Sequence, residues 1–260
     1  MSNRPIGIFD SGIGGTSIFK EIHALLPNEN SIYLADSKNA PYGNKSEEDI
    51  LQLSIKNTEL LLRKKSKIIV VACNTATTNA IAYLRNNYDV PFIGIEPAIK
   101  PAALKTRTKA VGILATKGTL SSQLFHKTTD IYASDIEVIE QDGDGIVPLI
   151  ESGKLHSDEM ESLLKTYLKP MIDKNIDHLV LGCTHYPYLI PILKKLLPEK
   201  VTIIDSGLAV AKQTKNILTA NNLLNQLETK EPYIKLYSNG NIDILKSIID
   251  NEFEASYLDF

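Results

Sequence analysis

Short apolar runs alternate with stretches of helical periodicity along the whole chain. Strands are predicted over Ile6–Phe9, Ser31–Ala35, Ile68–Ala72, Phe92–Ile95, Ala110–Ala115, Ile136–Glu140, His178–Leu181, Val201–Ile204 and Ile234–Tyr237. Most are rich in Ile, Val and Leu without strict alternation, as expected of parallel strands covered on both faces. Between them, a stretch over Thr16–Leu26 sets Ile18, Ile22, Leu25 and Leu26 on one helical face, and Asp158–Lys169 does so with Met160, Leu163, Leu164 and Leu168. A third helix over Ser46–Lys64 opens on Ser-Glu-Glu-Asp, which offers Ser46 as N-cap with Asp49 three residues on. This alternation predicts an α/β fold with mainly parallel sheets and right-handed crossovers.

A faint internal repeat runs through the pattern. Ile68-Ile-Val-Val-Ala-Cys-Asn-Thr resembles His178-Leu-Val-Leu-Gly-Cys-Thr-His, each an apolar strand ending in a small residue, a cysteine and then a threonine. Val90-Pro-Phe-Ile-Gly-Ile-Glu-Pro-Ala has a counterpart in Val201-Thr-Ile-Ile-Asp-Ser-Gly-Leu-Ala, and Gly7-Ile-Phe-Asp-Ser-Gly a looser one in Gly112-Ile-Leu-Ala-Thr-Lys-Gly. A duplicated α/β unit would set equivalent strand ends across a cleft, and open α/β sheets bind ligands at the carboxyl ends of their strands.

Composition narrows the function classes. The 260 residues suffice for one large or two medium domains, and 43% hydrophobic with 23% charged residues describes an ordinary globular chain. A formal charge of −3 argues against a nucleic-acid or anionic-membrane surface. The densest basic run, Arg63, Lys64, Lys65 and Lys67, reads as a solvated helix end. No apolar leader precedes the first predicted strand and no run approaches a membrane span, so the cytoplasm is the expected compartment. The two cysteines are far apart in sequence, which excludes a CxxC metal or redox motif.

Candidate chemistry collects at predicted strand ends. Asp10-Ser11-Gly12-Ile13-Gly14-Gly15-Thr16 joins a strand to a helix, with glycines that admit close backbone approach and a helix start that offers N–H groups to an anion. It is no dinucleotide fingerprint, because Ser17 stands where a third glycine is required, and it lacks the Gly-Lys-Ser/Thr of a phosphate-binding loop. Pro41-Tyr42-Gly43 reads as a rigid turn. Cys73-Asn74-Thr75 and Cys183-Thr184-His185 each place a thiol at a strand-to-helix junction, where the helix end is expected to favour thiolate. His185 is near enough to pair with Cys183 or a substrate, whereas His23, His126, His156 and His178 have no such setting; His178 reads as structural. Glu151, in Val147-Pro-Leu-Ile-Glu-Ser-Gly153, falls near a helix end.

Taken together, these segments resemble the glutamate racemases of the aspartate/glutamate racemase family. The resemblance is nearly chain-wide. It rests on Gly7-Ile-Phe-Asp-Ser-Gly-Ile-Gly-Gly15, Pro41-Tyr-Gly43, Ala72-Cys-Asn-Thr75, Gly94-Ile-Glu-Pro-Ala-Ile-Lys-Pro-Ala102, Pro148-Leu-Ile-Glu-Ser-Gly153 and Gly182-Cys-Thr-His-Tyr-Pro187. Tyr237-Ser-Asn-Gly240 departs from it, since the family often has Thr-Gly-Asp there, which leaves the role of that loop open. The resemblance implies two pseudo-symmetric α/β domains, over 1–96 plus 206–260 and over 97–205, with the active site between them. It implies Cys73 and Cys183 as an acid/base pair, Asp10 assisting Cys73, His185 assisting Cys183, and Glu151 nearby. It also implies that Asp10, Ser11, Pro41, Tyr42, Gly43, Asn74, Thr75, Thr184 and His185 hold the substrate, with Thr116 and Thr119 as further contacts. D-Glutamate for peptidoglycan, a cytoplasmic homodimer and the absence of a cofactor belong to the same expectation.

The chemistry is coherent. Racemisation takes a proton from one face of Cα and returns one to the other, which a thiolate and a thiol on opposite faces can do. No motif demands pyridoxal phosphate, and neither Lys38 nor Lys100 is marked as a Schiff-base lysine. The carbanion would then rest on hydrogen bonds to the α-carboxylate and on the retained ammonium, in a closed cleft. With few cations in the candidate loops, backbone N–H groups are expected to bind the carboxylates. The rivals are an aspartate racemase of the same family, a thiol hydrolase using Cys183 and His185 that leaves Cys73 idle, and a binding protein with inert cysteines.

Overall fold

The computed structural model describes residues 2–225 and 231–260; Met1 and residues 226–230, part of the stretch expected to return to the first domain, lie outside the described residues. Its strands are β1 (Ile6–Asp10), β2 (Ser31–Ala35), β3 (Ile68–Val71), β4 (Phe92–Gly94), β5 (Ala110–Ala115), β6 (Glu137–Asp142), β7 (His178–Gly182), β8 (Thr202–Ile204), β9 (Ile234–Ser238) and β10 (Ala255–Tyr257). Its α-helices are α1 (Thr16–Leu25), α2 (Glu47–Arg63), α3 (Asn74–Asn87), α4 (Ile99–Lys105), α5 (Lys117–Leu120), α6 (Gln123–Tyr132), α7 (Ile146–Glu151), α8 (Asp158–Asp173), α9 (Ile190–Leu196), α10 (Gly207–Ala220) and α11 (Ile242–Ile248). The strands form one sheet in the order β10-β9-β2-β1-β3-β4 and a second in the order β6-β5-β7-β8. Among the described residues every strand pair is parallel.

Period-two side-chain alternation explains the layering. Ile6, Ile8, Ile68 and Val70 face one core, while Phe9, Ile69 and Val71 face another beneath α2 and α3. In the second sheet Leu114, Leu179 and Leu181 join the first of these cores, whereas Val111, Ile113 and Val180 pack into a third. A single apolar body therefore runs from the inner face of one sheet to that of the other. The strands on either side end toward a common gap, so the loops after β1, β2, β3, β5 and β7 meet there.

Several sequence expectations change in the structure. Lys67 is not on a solvated helix end: it is 1% exposed, and its Nζ donates to Glu29 Oε2 at 2.5 Å and to the carbonyls of Ser2 and Leu223, both at 2.7 Å. Helix α8 runs on past Pro170 to Asp173, because a proline removes only one N–H and the buried Met171 holds the last turn to the core. Ser46 caps α2 by accepting from Asp49 N at 3.1 Å, but the reciprocal bond runs from the Ser46 hydroxyl to the Asp49 carboxylate rather than to a backbone N–H. Strand β10 was not expected; only three residues long, it carries no pattern of its own.

Candidate active site

The loop after β1 is built around carboxylates of the protein itself. Asp10 is fully buried and accepts from Gly15 N at 2.7 Å, from Ser11 Oγ at 3.3 Å and from Thr184 Oγ1 at 3.3 Å. Ile13 N donates to Glu151 Oε1 at 2.7 Å. Two of the N–H groups expected to await a substrate anion thus hold protein carboxylates instead. The glycines allow this crowding: a Cβ on Gly12 would overlap the Glu151 carboxylate, and one on Gly14 the His185 ring. Burial raises the Asp10 pKa, partly offset by His185 and by hydrogen bonds from Gly15 and Ser11.

Cys73 follows β3 and is the N-cap of α3, its extended backbone turning the thiol back so that Sγ accepts from Ala76 N at 3.4 Å. Its S–H donates to Ser11 Oγ at 3.6 Å, and that hydroxyl in turn reaches Asp10. The order is thiol, hydroxyl, carboxylate. The helix end does not make this cysteine a thiolate. Burial and the nearby Asp10 push its pKa well above the ordinary thiol value, outweighing the Ala76 and Ser11 hydrogen bonds.

Cys183 follows β7 and precedes a 3₁₀ turn over Tyr186–Leu189 rather than a long helix. Its Sγ lies 3.7 Å from His185 Nδ1, and the other ring nitrogen, Nε2, lies 2.6 Å from Glu151 Oε1. Here the order is thiol, imidazole, carboxylate. Burial pulls the His185 pKa down, but hydrogen bonds to Cys183 and Glu151 win and hold it well above the ordinary imidazole value. His185 thus stands between the Cys183 thiol on one side and the Glu151 carboxylate on the other, placed to exchange a proton with the sulfur.

Both thiols open onto one narrow cleft, lined by Ser11, Pro41, Tyr42, Gly43, Cys73, Asn74, Thr75, Thr116, Thr184 and His185 among others. Asp10 and Glu151 stand behind this wall, each reached through the group it supports. Thr119 is also set back: it is fully buried, with Oγ1 3.4 Å from Thr75 Oγ1 and 3.1 Å from Thr116 Oγ1. Thr75 and Thr116 meet across the gap at 2.9 Å. Asn74 Oδ1 is buried with no hydrogen-bond partner, an acceptor suited to an ammonium group. Among the described residues the cleft lining contains no Lys or Arg. Lys38 pairs with Asp259 at 3.6 Å and Lys100 lies over the Tyr132 ring, both away from it. His178 is bonded to Asp177 at 2.8 Å, which also accepts from Thr106 Oγ1 at 2.7 Å, as its structural reading required.

Sequence reasoning missed two lining residues, Val147 and Gly182. Both sit inside motifs singled out for a neighbour, Glu151 and Cys183. It also missed Asp36, which is 1% exposed and accepts from Tyr42 Oη at 2.5 Å behind the cleft.

The Asp/Glu/hydantoin racemase family pattern matches residues 6–214. A glutamate racemase of Ectopseudomonas mendocina is 45% identical over 250 residues, covering 96% of this chain and 94% of that protein. The solved Escherichia coli glutamate racemase, in complex with L-glutamate and the activator UDP-MurNAc-Ala, superposes with a TM-score of 0.86 at 34% identity, covering 98% of this chain and 97% of the other. The Francisella tularensis glutamate racemase in complex with D-glutamate gives a TM-score of 0.84 at 32% identity, covering 99% of this chain and 97% of that one.

Proposed function

The chain belongs to the Asp/Glu/hydantoin racemase family, and from that membership we propose that it interconverts L- and D-glutamate without a cofactor, using Cys73 and Cys183 as its acid/base pair. The observation that carries the reading is the pair of thiols on one cleft, each backed by a carboxylate through one intervening group. In one direction of the reaction Cys73 starts as the thiol, as its raised pKa favours, and Cys183, beside His185, acts as the base. Cys183 takes the Cα proton from one face of a bound glutamate, and Cys73 delivers its proton to the other. The reverse reaction starts from the thiols in exchanged states, with Ser11 and Asp10 supporting charge on Cys73. Each such transfer contributes roughly 10²–10⁴-fold. Asn74 and the threonines of the lining supply hydrogen bonds to substrate, and the ammonium stays protonated to offset the carbanion.

The same reading extends to finer points. The chain divides into domains over 1–96 plus 206–260 and over 97–205, each carrying one sheet. It works in the cytoplasm as a homodimer and supplies D-glutamate for peptidoglycan. Among the described residues no helix is long and apolar enough to cross a membrane.

Incubating the purified protein with L- or D-glutamate in deuterated water, with no cofactor added, is expected to erase optical rotation while deuterium enters at Cα. Cys73→Ser and Cys183→Ser are each expected to abolish racemisation, since a hydroxyl is far too weak an acid and base. A Cys73→Ser protein racemising near the parent rate would refute the mechanism. Parallel turnover of aspartate tests the substrate, because one methylene is worth about 1–3 kcal/mol in a pocket.

A further inference from the structure

We propose that Asn239, on the loop after β9, is a positioning residue for the substrate cleft and acts through Asp36 on Tyr42. Tyr42 is 1% exposed and forms part of the cleft wall, yet its hydroxyl is engaged by groups of the protein itself. That hydroxyl donates to Asp36 Oδ2 at 2.5 Å and accepts from Asn57 Nδ2 at 3.1 Å. Tyr42 therefore meets substrate with the rest of its side chain and its backbone, and its placement depends on what holds Asp36.

Asp36 is held by two amides. Asn39 Nδ2 donates to its Oδ1 at 2.8 Å, and Asn239 Nδ2 donates to the same oxygen at 2.6 Å. Asn39 belongs to the short turn it would have to brace, whereas Asn239 comes from the loop after a different strand, β9. The Asn239 amide is fully used: Nδ2 also donates to the Phe260 main-chain oxygen at 3.1 Å, and Oδ1 accepts from Lys38 N at 2.9 Å. One side chain, 4% exposed, thus fixes both the carboxylate that anchors Tyr42 and the backbone at Lys38, just before the turn that brings Pro41, Tyr42 and Gly43 to the cleft. Gly240 brings the two loops this close, since a Cβ there would sit 2.6 Å from Ser37 Cβ. The loop whose departure from the family pattern had no assigned role becomes a strut for the site.

The strut sets a wall that substrate meets in ground and transition states alike, so its loss is read in KM more than in kcat. The inference rests on the racemase reading for its assay, and parent turnover of glutamate checks that reading separately. Asn239→Ala is expected to raise the glutamate KM about tenfold with kcat within about threefold, because the amide that holds Asp36 is lost together with its bonds to the backbone at Lys38 and Phe260. Asn239→Asp keeps the shape and the acceptor for Lys38 but sets a carboxylate against Asp36, and is expected to raise KM at least as much. In a Tyr42→Phe background, where the hydroxyl that transmits the effect is gone, neither change should raise KM further. An unchanged KM in the folded single variants, or an equal rise in both backgrounds, would overturn the proposal.

Discussion

At the scale of single residues, the site is governed by what stands behind each thiol. Cys73 is backed by a hydroxyl and Cys183 by an imidazole, so the two sulfurs have unlike proton partners although they face one cleft. Glu151 helps to raise the His185 pKa, so its removal must lower it. Glu151→Gln is therefore expected to move the alkaline limb of the kcat/KM profile to lower pH, readable by following racemisation across the pH range; an unmoved limb would remove Glu151 from the relay. The coupling also acts on stability. A histidine whose folded pKa is raised stabilises the fold fully below its unfolded value of about 6.5, and the contribution fades as pH climbs through the raised one. Much of this was legible in the sequence, because Cys-Asn-Thr and Cys-Thr-His mark themselves by residue type. The protonation of Cys73 was not, since burial and the approach of Asp10 arise only when the β1 and β3 ends are side by side.

At the scale of elements, local patterning went far. The β2 and β5 spans were predicted to the residue, since apolar runs bounded by polar turns have sharp edges. Helices are likewise set by their starts: Ser157 caps α8 by accepting from Met160 N at 3.2 Å, with Asp158, Glu159 and Glu161 in the first turn complementing the helix dipole. Ser157→Ala is expected to cost about 1 kcal/mol, seen as a drop of about 2–4 °C in melting temperature with racemase kinetics unchanged. Where patterning failed, a longer-range contact had decided. Lys67 looked like the tail of a basic helix end, but Glu29 and two carbonyls from distant loops draw it inside.

At the scale of the whole molecule, the two sheets share one apolar body and present their carboxyl ends to a common cleft. The Lys67–Glu29 pair lies at the opposite, amino end of the first sheet, beside the start of β3, and links Ser2, the loop before β2 and the segment after α10. Lys67→Ala would strand a buried carboxylate, so a loss of about 3–5 kcal/mol is expected in denaturant unfolding. Activity at permissive temperature should be nearly preserved, because the pin is remote from the thiols; equal loss of activity and stability would contradict that separation.

The unlike backing of the two sulfurs has a thermodynamic corollary. Mirror-image amino acids have equal free energy in water, so their equilibrium mixture is half and half whatever the catalyst. A hydroxyl on one side and an imidazole on the other can give the two directions different saturated rates. Any such bias must be cancelled by the Michaelis constants, and the handed protein must end up equally efficient on both hands of its substrate.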